Sequence, residues 1–227
     1  MKVWVFVEGK SDVGALSALW SGWKEKLGEK GWGIHLIPLE NKSNYFRKIG
    51  PRATEKLMHD TSDLVVGLPD LYPNQNYANT DYRHNDLQEL RDVQERLVNQ
   101  SLQQKVREAD VDSHMVRFYA SALKHDLEVL LLAATGQLQS RLKMRNKPSG
   151  WRRPPEDQNQ NQPPKRIVEE LFRRHIGKSY RENVDSYAIL SKANLREVVF
   201  DEHGTIQCPA FRDMIDWIGD KTGVPGY

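Results

Sequence analysis

The stretch Val3-Trp4-Val5-Phe6-Val7-Glu8-Gly9-Lys10-Ser11-Asp12 decides how this chain folds. Five apolar residues in a row are typical of a β-strand that is covered on both faces. Glu8 and Gly9 form a turn after this strand. Ser11 is a suitable N-cap for a helix, because apolar residues follow it at a spacing of three and four from Val13 to Leu27. A strand that leads at once into a helix predicts an α/β fold with Glu8 at the carboxyl end of the strand.

The same alternation continues over the first part of the chain. Further strands are predicted at Ile34 to Leu39, Leu64 to Leu68 and Met115 to Ala120, and further helices at Pro51 to His59, after Asp86 and after Asp126. Four nearly continuous apolar strands with helices between them predict a parallel four-stranded sheet flanked by helices.

The character of the chain changes after residue 142. Residues 143–164 are rich in Pro, Gln, Asn and basic residues, a composition typical of a flexible loop. Helical spacing returns from Ile167 onward and continues in short segments to Ile218. We therefore predict an α/β domain over residues 1–142, a basic and polar flexible loop over 143–164, and a helical C-terminal subdomain over 165–227.

Composition narrows the class of protein. A chain of 227 residues with 38% hydrophobic content can form a globular core, and its net charge of +2 neither favours nor excludes a polyanionic partner. The single cysteine, Cys208, excludes an intramolecular disulfide and argues against a structural zinc site. The most apolar run, Leu127 to Ala134, is too short to span a membrane, and no signal sequence is recognisable. We expect a cytoplasmic protein with no membrane association.

Carboxylates follow the predicted ends of three strands. Glu8 and Asp12 follow the first, Asp70 follows the third, and Asp126 and Glu128 follow the fourth. The carboxyl ends of parallel strands share one edge of a sheet, so these side chains are expected to lie close together. Carboxylate oxygens are the ligands that Mg²⁺ and Mn²⁺ prefer. The sequence therefore predicts a magnesium or manganese site.

Some of these residues have a simpler interpretation. Asp12 and Asp126 suit the first turn of a helix, where a negative charge contributes about 0.3–1 kcal/mol. His125 lies beside the acids as a ligand or an orienting group for water, or it is a packing residue. Glu8 before Gly9 is a poor helix cap, which favours a functional role for Glu8.

The ordered set of motifs resembles a known group of domains. Val7-Glu8-Gly9-Lys10-Ser11-Asp12 after a strand, followed by an apolar strand that ends in Asp70, is similar to the TOPRIM domain of topoisomerases, primases and overcoming-lysogenization-defect (OLD) nucleases. Within that group the chain resembles a TOPRIM-like bacterial family of unknown function that is often encoded beside an AAA-type ATPase. The motifs that carry this second resemblance are His125-Asp126-Leu127-Glu128-Val129-Leu130-Leu131, Pro163-Pro164-Lys165-Arg166, and Cys208-Pro209-Ala210-Phe211 before Trp217.

The resemblance implies a TOPRIM-like (Rossmann-like) fold and a set of site residues. Metal would be bound by Glu8, Asp12, Asp70 and Glu128, with His125 and Asp126 supporting them, and catalysis would involve Glu8, Asp70 and Lys178. The chain departs from the family pattern where His125-Asp126 stands in place of the expected His-Glu. It also departs where Asp70-Leu71-Tyr72 replaces the usual Asp-x-Asp of TOPRIM domains. Because of that departure, the number of metal ions at the site, one or two, stays open.

A basic strip follows residue 142. Its cations surround Trp151 with no acid among them, and they are Lys143, Arg145, Lys147, Arg152 and Arg153. Such a strip suits the phosphates of a nucleic acid. A solvated flexible loop is the alternative interpretation.

These features together predict a metal-dependent phosphodiesterase. The resemblance implies a DNA nuclease, as the effector of a bacterial anti-phage defence system with a separately encoded ATPase partner. Two alternatives remain open: a catalytically degenerate TOPRIM-fold binding or regulatory subunit, and RNA or nucleotide processing at the same site. The oligomeric state is not predicted.

Overall fold

The computed structural model describes residues 1–227 and contains one four-stranded sheet. Its strands are β1 (Lys2–Val7), β2 (Gly33–Pro38), β3 (Leu64–Leu68) and β4 (Phe118–Ala120), in the order β2-β1-β3-β4. Every neighbouring pair is parallel. The predicted parallel four-stranded α/β sheet is therefore confirmed.

Eleven helices surround the sheet. They are α1 (Lys10–Leu19), α2 (Ser21–Glu29), α3 (Lys42–His59), α4 (Leu87–Gln103), α5 (Glu108–Met115), α6 (Glu128–Ala133), α7 (Thr135–Leu142), α8 (Pro164–Ile176), α9 (Tyr187–Leu190), α10 (Leu195–Val199) and α11 (Pro209–Thr222). Two 3₁₀ turns lie at Gln75–Tyr77 and Pro155–Asp157, and a π-helical turn lies at Glu182–Ser186. None of the helices combines the length and the apolar character that crossing a membrane requires.

The prediction that a short helix begins at Pro51 is wrong. Helix α3 begins at Lys42, where the Asn41 side chain accepts a hydrogen bond from the Asn44 N–H at 2.9 Å, and Pro51 lies inside it. A proline in a helix interior costs about 3 kcal/mol. Each large apolar side chain that is fully buried contributes about 1.5–3 kcal/mol. The buried stripe that outweighs the proline consists of Tyr45, Phe46, Ile49, Ala53 and Leu57.

Other predicted bounds also change. The predicted helix from Val13 to Leu27 is two helices that meet at Trp20, and the helix after Asp126 is two helices that meet at Ala134. The predicted strand from Met115 is reduced to β4, because the unpredicted helix α5 takes its first residue. Helix α5 buries only one of its residues, which explains the absence of a clear helical period.

Two hydrophobic cores cover the two faces of the sheet, and alternate side chains of each strand enter opposite cores. Phe6 and Val65 lie in the core beneath α3 and α4. Val5 and Val66 lie in the larger core, which also contains Leu171 and other residues of α8, α9, α10 and α11. The C-terminal helices thus pack directly on the sheet. The predicted division into separate domains stays a prediction.

Residues 143–163 contain no helix or strand beyond the second 3₁₀ turn, and the predicted loop ends one residue earlier than expected because α8 begins at Pro164. Glu156 in that turn is buried, and its carboxylate accepts hydrogen bonds from the N–H groups of Ala210 at 3.0 Å and Phe211 at 3.3 Å, at the start of α11. This contact attaches the segment to the C-terminal helices. The flexibility predicted for it stays a prediction.

Candidate functional site

The sheet has a topological switch point between β1 and β3. After β1 the chain continues to β2 on one side, and it later returns to β3 on the other side, which opens a crevice at the carboxyl ends of β1 and β3. Glu8 follows β1 directly, and Asp70 follows β3 after Pro69. The Asp70 N–H donates to Glu8 Oε1 at 3.1 Å. Sequence analysis therefore placed these two acids correctly at one edge.

Asp12 joins them from the first turn of α1. Its Oδ2 accepts a hydrogen bond from the Gly9 N–H at 2.8 Å, and its side chain is buried. The cap-like interpretation of Asp12 thus describes a real contact. The same contact holds the carboxylate beside the crevice, where the charge of Asp12 acts on both Glu8 and Asp70.

The loop after β4 brings a second set of acids to this edge. Asp70 pairs with Leu123 in a parallel bridge, so the segment leading to Asp126 and Glu128 runs alongside the end of β3. Glu128 is completely buried at the start of α6, and neither of its carboxylate oxygens has a hydrogen-bond partner. Asp126 Oδ1 is also buried without a partner.

Three residues from the C-terminal helices complete the arrangement. Lys165 of α8 donates a hydrogen bond to Glu182 of the π-helical turn. The hydroxyl of Tyr180 is buried beside Glu128 without a hydrogen-bond partner. π-Helical turns are frequent at functional sites. We call the six carboxyl groups the acid cluster, and they are Glu8, Asp12, Asp70, Asp126, Glu128 and Glu182.

Burial shifts the pKa values of five acids in the cluster upward. Burial raises the pKa of Glu8 to about 7, that of Asp12 to about 6, and that of Asp126 to about 6. Burial, followed by the charge of Asp126, raises the pKa of Glu128 to about 8. Burial and the neighbouring acids hold the pKa of Asp70 well above its usual range. Near neutral pH, the cluster favours either protons or an added cation.

Lys42 was missed by the sequence analysis. It is buried at the start of α3, and its Nζ donates to the carbonyl oxygens of Leu71 at 2.7 Å and Pro73 at 2.9 Å. Burial lowers the pKa of Lys42 to about 8, against the opposing charges of Glu8 and Asp70. The sequence analysis gave Lys42 no role, and the helix predicted from Pro51 did not include it.

Lys165 and Glu182 were missed as well. Lys165 lies within the quoted Pro-Pro-Lys-Arg motif, so a signal for it was present. Glu182 lies in a turn without helical period and gave no signal. The predicted catalytic lysine, Lys178, is exposed after α8 and makes no hydrogen bond to the acids, so the structure brings Lys42 and Lys165 to the cluster instead.

His125 is buried, and its Nε2 has no hydrogen-bond partner. Its ring centroid lies 5.3 Å from that of Tyr72, the residue that replaces the second acid of Asp-x-Asp. Burial lowers the pKa of His125, which favours the neutral ring. The two side chains pack together next to the acids.

The basic strip has a different location. All five of its cations are exposed. Lys147 is ion-paired with Glu202, and Lys147 and Arg153 line a cleft of about 520 Å³ that also contains Ala133 at the end of α6. Glu128 begins the same helix, and six residues of α-helix are about 9 Å long. This cleft and the acid cluster thus lie at opposite ends of α6.

The donor atoms of the acid cluster fit a hard divalent cation. They are carboxylate oxygens, and three of the oxygens, on Asp126 and Glu128, are buried without partners. No three His, Cys, Asp or Glu side chains are arranged to hold a metal ion as they stand. Mg²⁺ commonly takes only one or two carboxylates and keeps several waters.

These observations define an α/β protein with a buried acidic site at the switch point of a parallel sheet. The chain belongs to the family described as a domain of unknown function, DUF4276, whose model matches residues 7–219. No curated protein matches the sequence.

Two solved structures are similar to this chain. The C-terminal region of the Burkholderia pseudomallei OLD protein is 14% identical, with a TM-score of 0.48 and coverage of 97% of this chain and 98% of that one. The C-terminal region of the Xanthomonas campestris pv. campestris OLD protein is 14% identical, with a TM-score of 0.41 and coverage of 96% and 97%.

Proposed function

We propose that this chain is a metal-dependent phosphodiesterase that hydrolyses DNA, with Mg²⁺ or Mn²⁺ as its metal. The observation that carries the proposal is the acid cluster itself. Six carboxyl groups meet two lysines at the switch point of the sheet, and both oxygens of Glu128 are buried without partners. Buried anions without partners are costly, so a site of this kind suits a bound cation.

Four of the acids hold the metal in this proposal: Glu8, Asp12, Asp70 and Glu128. A divalent cation bound there supplies stabilisation of phosphate charge and a lower pKa for a bound water. The hydrogen bond from the Asp70 N–H fixes Oε1 of Glu8, and the bond from the Gly9 N–H fixes Oδ2 of Asp12. These contacts fix Glu8 and Asp12 at the carboxyl end of β1, and with Asp70 and Lys42 they form what we call the sheet side of the cluster. Asp126, Glu128, Tyr180 and Glu182 form its helix side.

Lys165 takes the role that the sequence analysis gave to Lys178. Its ammonium group is bonded to Glu182 and acts on the charges of Asp126 and Glu128. A positive group at this place stabilises the negative charge that develops on a phosphate during hydrolysis. Lys42, whose pKa is lowered to about 8, adds a second positive charge at and below neutral pH beside Glu8 and Asp70.

The biological setting of the proposal is supported by the sequence resemblance alone. A TOPRIM-like nuclease of this kind acts as the effector of an anti-phage defence system and works with a separately encoded AAA-type ATPase. Co-purification of the chain with the product of a neighbouring ATPase gene tests this part of the proposal.

A second candidate function is a DNA-binding or regulatory subunit without catalysis. It is favoured by one feature, the replacement of the second acid of Asp-x-Asp by Tyr72, whose ring packs against His125. Such a subunit keeps the scaffold and binds DNA but does not hydrolyse it.

Cleavage of supercoiled plasmid separates the two functions. The full chain is incubated with Mn²⁺ or Mg²⁺, beside Glu8→Gln and a control variant, Glu156→Gln. Glu156 is also a buried carboxyl group, but it lies outside the cluster and its hydrogen bonds are satisfied. We expect nicking by the wild type and Glu156→Gln, and none by Glu8→Gln or with a chelator.

Two results contradict the proposal. Equal cleavage by Glu8→Gln places the chemistry elsewhere, and DNA binding without cleavage by the wild type favours the regulatory subunit. A parallel incubation with RNA identifies an RNA-processing activity.

A further inference from the structure

A second group of cations lies next to the acid cluster. Residues 173–181 read Arg-Arg-His-Ile-Gly-Lys-Ser-Tyr-Arg and contain no acid. We call this stretch the 173–181 segment. Its four permanent cations are all exposed, and none of them is in an ion pair; they are Arg173, Arg174, Lys178 and Arg181.

The segment runs from the end of α8 back to the acid cluster. Helix α8 begins beside the cluster at Lys165, and the chain returns there with Tyr180 and Glu182, since Tyr180 lies beside Glu128 and Lys165 bonds Glu182. Arg181 therefore stands between two residues that face the cluster. Lys178 is two residues from Tyr180 in the chain.

The cluster is accessible at this side. Glu128 is completely buried, whereas the side chains of Lys165 and Glu182 are 41% and 33% exposed. These two residues form the solvent-facing rim of the acid cluster, and Arg181 of the 173–181 segment adjoins Glu182 in the chain. A polyanion that approaches the acids from this side meets positive charge first, which offsets the repulsion by the carboxylates.

The basic strip at 143–153 is a weaker candidate for the same contact. Lys147 is paired with Glu202, and the cleft that Lys147 and Arg153 line also contains Glu197 and Asp201. The positive charge of Lys147 is thus balanced locally. It also borders the end of α6 away from Glu128.

We propose that the 173–181 segment is the DNA-backbone contact that leads phosphates to the acid cluster, with Lys178, Arg181 and Arg174 as the contacting cations. The identity of the ligand rests on the proposed function. The location of the contact rests on exposed, unpaired cations beside the rim of the cluster.

The test is a comparison of three triple variants in DNA binding. The first, Arg174→Ala/Lys178→Ala/Arg181→Ala, changes the proposed contact. The second, Lys143→Ala/Arg145→Ala/Arg152→Ala, changes the basic strip. The third, Lys30→Ala/Arg47→Ala/Arg52→Ala, removes the same net charge from exposed positions on other helices and loops. Circular dichroism checks that each variant is folded.

Binding of a short fluorescent DNA duplex is measured by anisotropy at several salt concentrations in EDTA, so that no cleavage occurs. We expect the first variant to lose at least about tenfold in affinity. We also expect the slope of log K against log salt to fall by about 2 to 3, because each lost phosphate contact removes about 0.9. The other two variants should stay within about twofold of the wild type.

Other outcomes overturn the inference. Loss of binding in the second variant alone would show that the basic strip contacts the DNA. An equal loss in all three variants would show that binding depends on net charge and not on a particular contact. Absence of duplex binding by the wild type, or a preference for single-stranded RNA of the same length, rejects DNA as the ligand. Since metal is absent, failure of cleavage in the plasmid experiment leaves this result unaffected, and the two proposals fail separately.

Discussion

The two sides of the acid cluster differ in how completely their polar groups are paired. On the sheet side, Glu8 and Asp12 each accept a backbone hydrogen bond, and Lys42 is held by two carbonyl oxygens. On the helix side, the oxygens of Glu128 and the hydroxyl of Tyr180 are buried without partners. These polar groups of the sheet side are thus paired within the protein, whereas those of Glu128 and Tyr180 on the helix side are not.

The largest expected effect follows from the unpaired carboxyl group of Glu128. Its pKa is about 8 in the folded chain, against an ordinary value of 4.5. Between these two values the unfolded chain is ionised while the folded one holds a proton, so stability falls as pH rises from about 5 to about 8. Glu128→Gln removes this cost, and in EDTA at pH 8 it should raise the free energy of unfolding by about 3 kcal/mol.

Urea unfolding of both proteins at pH 6 and pH 8 measures this difference. The variant should gain less stability than the wild type when Mn²⁺ is added, since it lacks one ligand. A variant less stable than the wild type at pH 8 without metal shows that Glu128 is already satisfied, and the contrast between the two sides is lost.

Lys42→Met disturbs the side that is already organised. The carbonyl groups of Leu71 and Pro73 lose their donor, and Glu8 and Asp70 lose a nearby positive charge, so the free energy of unfolding should fall by about 2 kcal/mol. Mn²⁺ should bind about tenfold more tightly at pH 7, where Lys42 is mostly protonated in the wild type, because that positive charge no longer opposes the cation.

Lys48→Met is the matched control, since Lys48 lies on the same helix and is ion-paired with Glu40 near the surface. Calorimetric titration gives both affinities. Weaker Mn²⁺ binding by Lys42→Met would contradict this expectation and show that Lys42 stabilises the arrangement of the metal ligands.

Glu156→Gln tests whether any buried carboxyl group behaves like those of the cluster. Glu156 is buried with a pKa of about 7, but both of its hydrogen bonds go to the start of α11. We expect the free energy of unfolding to fall by about 1 kcal/mol, because the amide keeps only one accepting oxygen for the two N–H groups, and Mn²⁺ affinity to stay unchanged. A large loss of metal binding in this variant would show that the metal site includes the 3₁₀ turn at Pro155–Asp157.

The smallest effect is expected for Tyr180→Phe. The hydroxyl of Tyr180 makes no hydrogen bond, so its removal leaves no partner unsatisfied. The free energy of unfolding in EDTA should change by about 0.5 kcal/mol or less. A loss above 2 kcal/mol in thermal unfolding reveals a bond between Tyr180 and Glu128, and the helix side is then paired as well.

The two sides also differ in how far the sequence predicts them. Glu8 and Asp70 were placed correctly because a buried parallel strand is visible as an apolar run and its end is sharp. Lys42 was missed because the prediction placed Pro51 in the first turn of a helix, whereas α3 begins at Lys42 and contains Pro51 in its interior. The long buried stripe of α3 offsets the cost of this internal proline.

Lys165 and Glu182 could not be placed by local pattern. They reach the acids because α8 packs on the same core as β1 and β3, and this is a tertiary contact between distant parts of the chain. The π-helical turn Glu182–Ser186 has no apolar periodicity from which its position could be predicted. The predicted sheet was therefore accurate, whereas the helix side of the site depended on packing.

Calorimetric titration of Mn²⁺ into the metal-free full chain tests the central claim most directly, with Glu8→Gln and Glu156→Gln measured beside it. We predict saturable binding by the wild type and by Glu156→Gln, and a loss of about 100-fold or more in affinity for Glu8→Gln. Equal binding by all three proteins, or no binding by the wild type, would contradict the assignment of the acid cluster as a divalent-metal site.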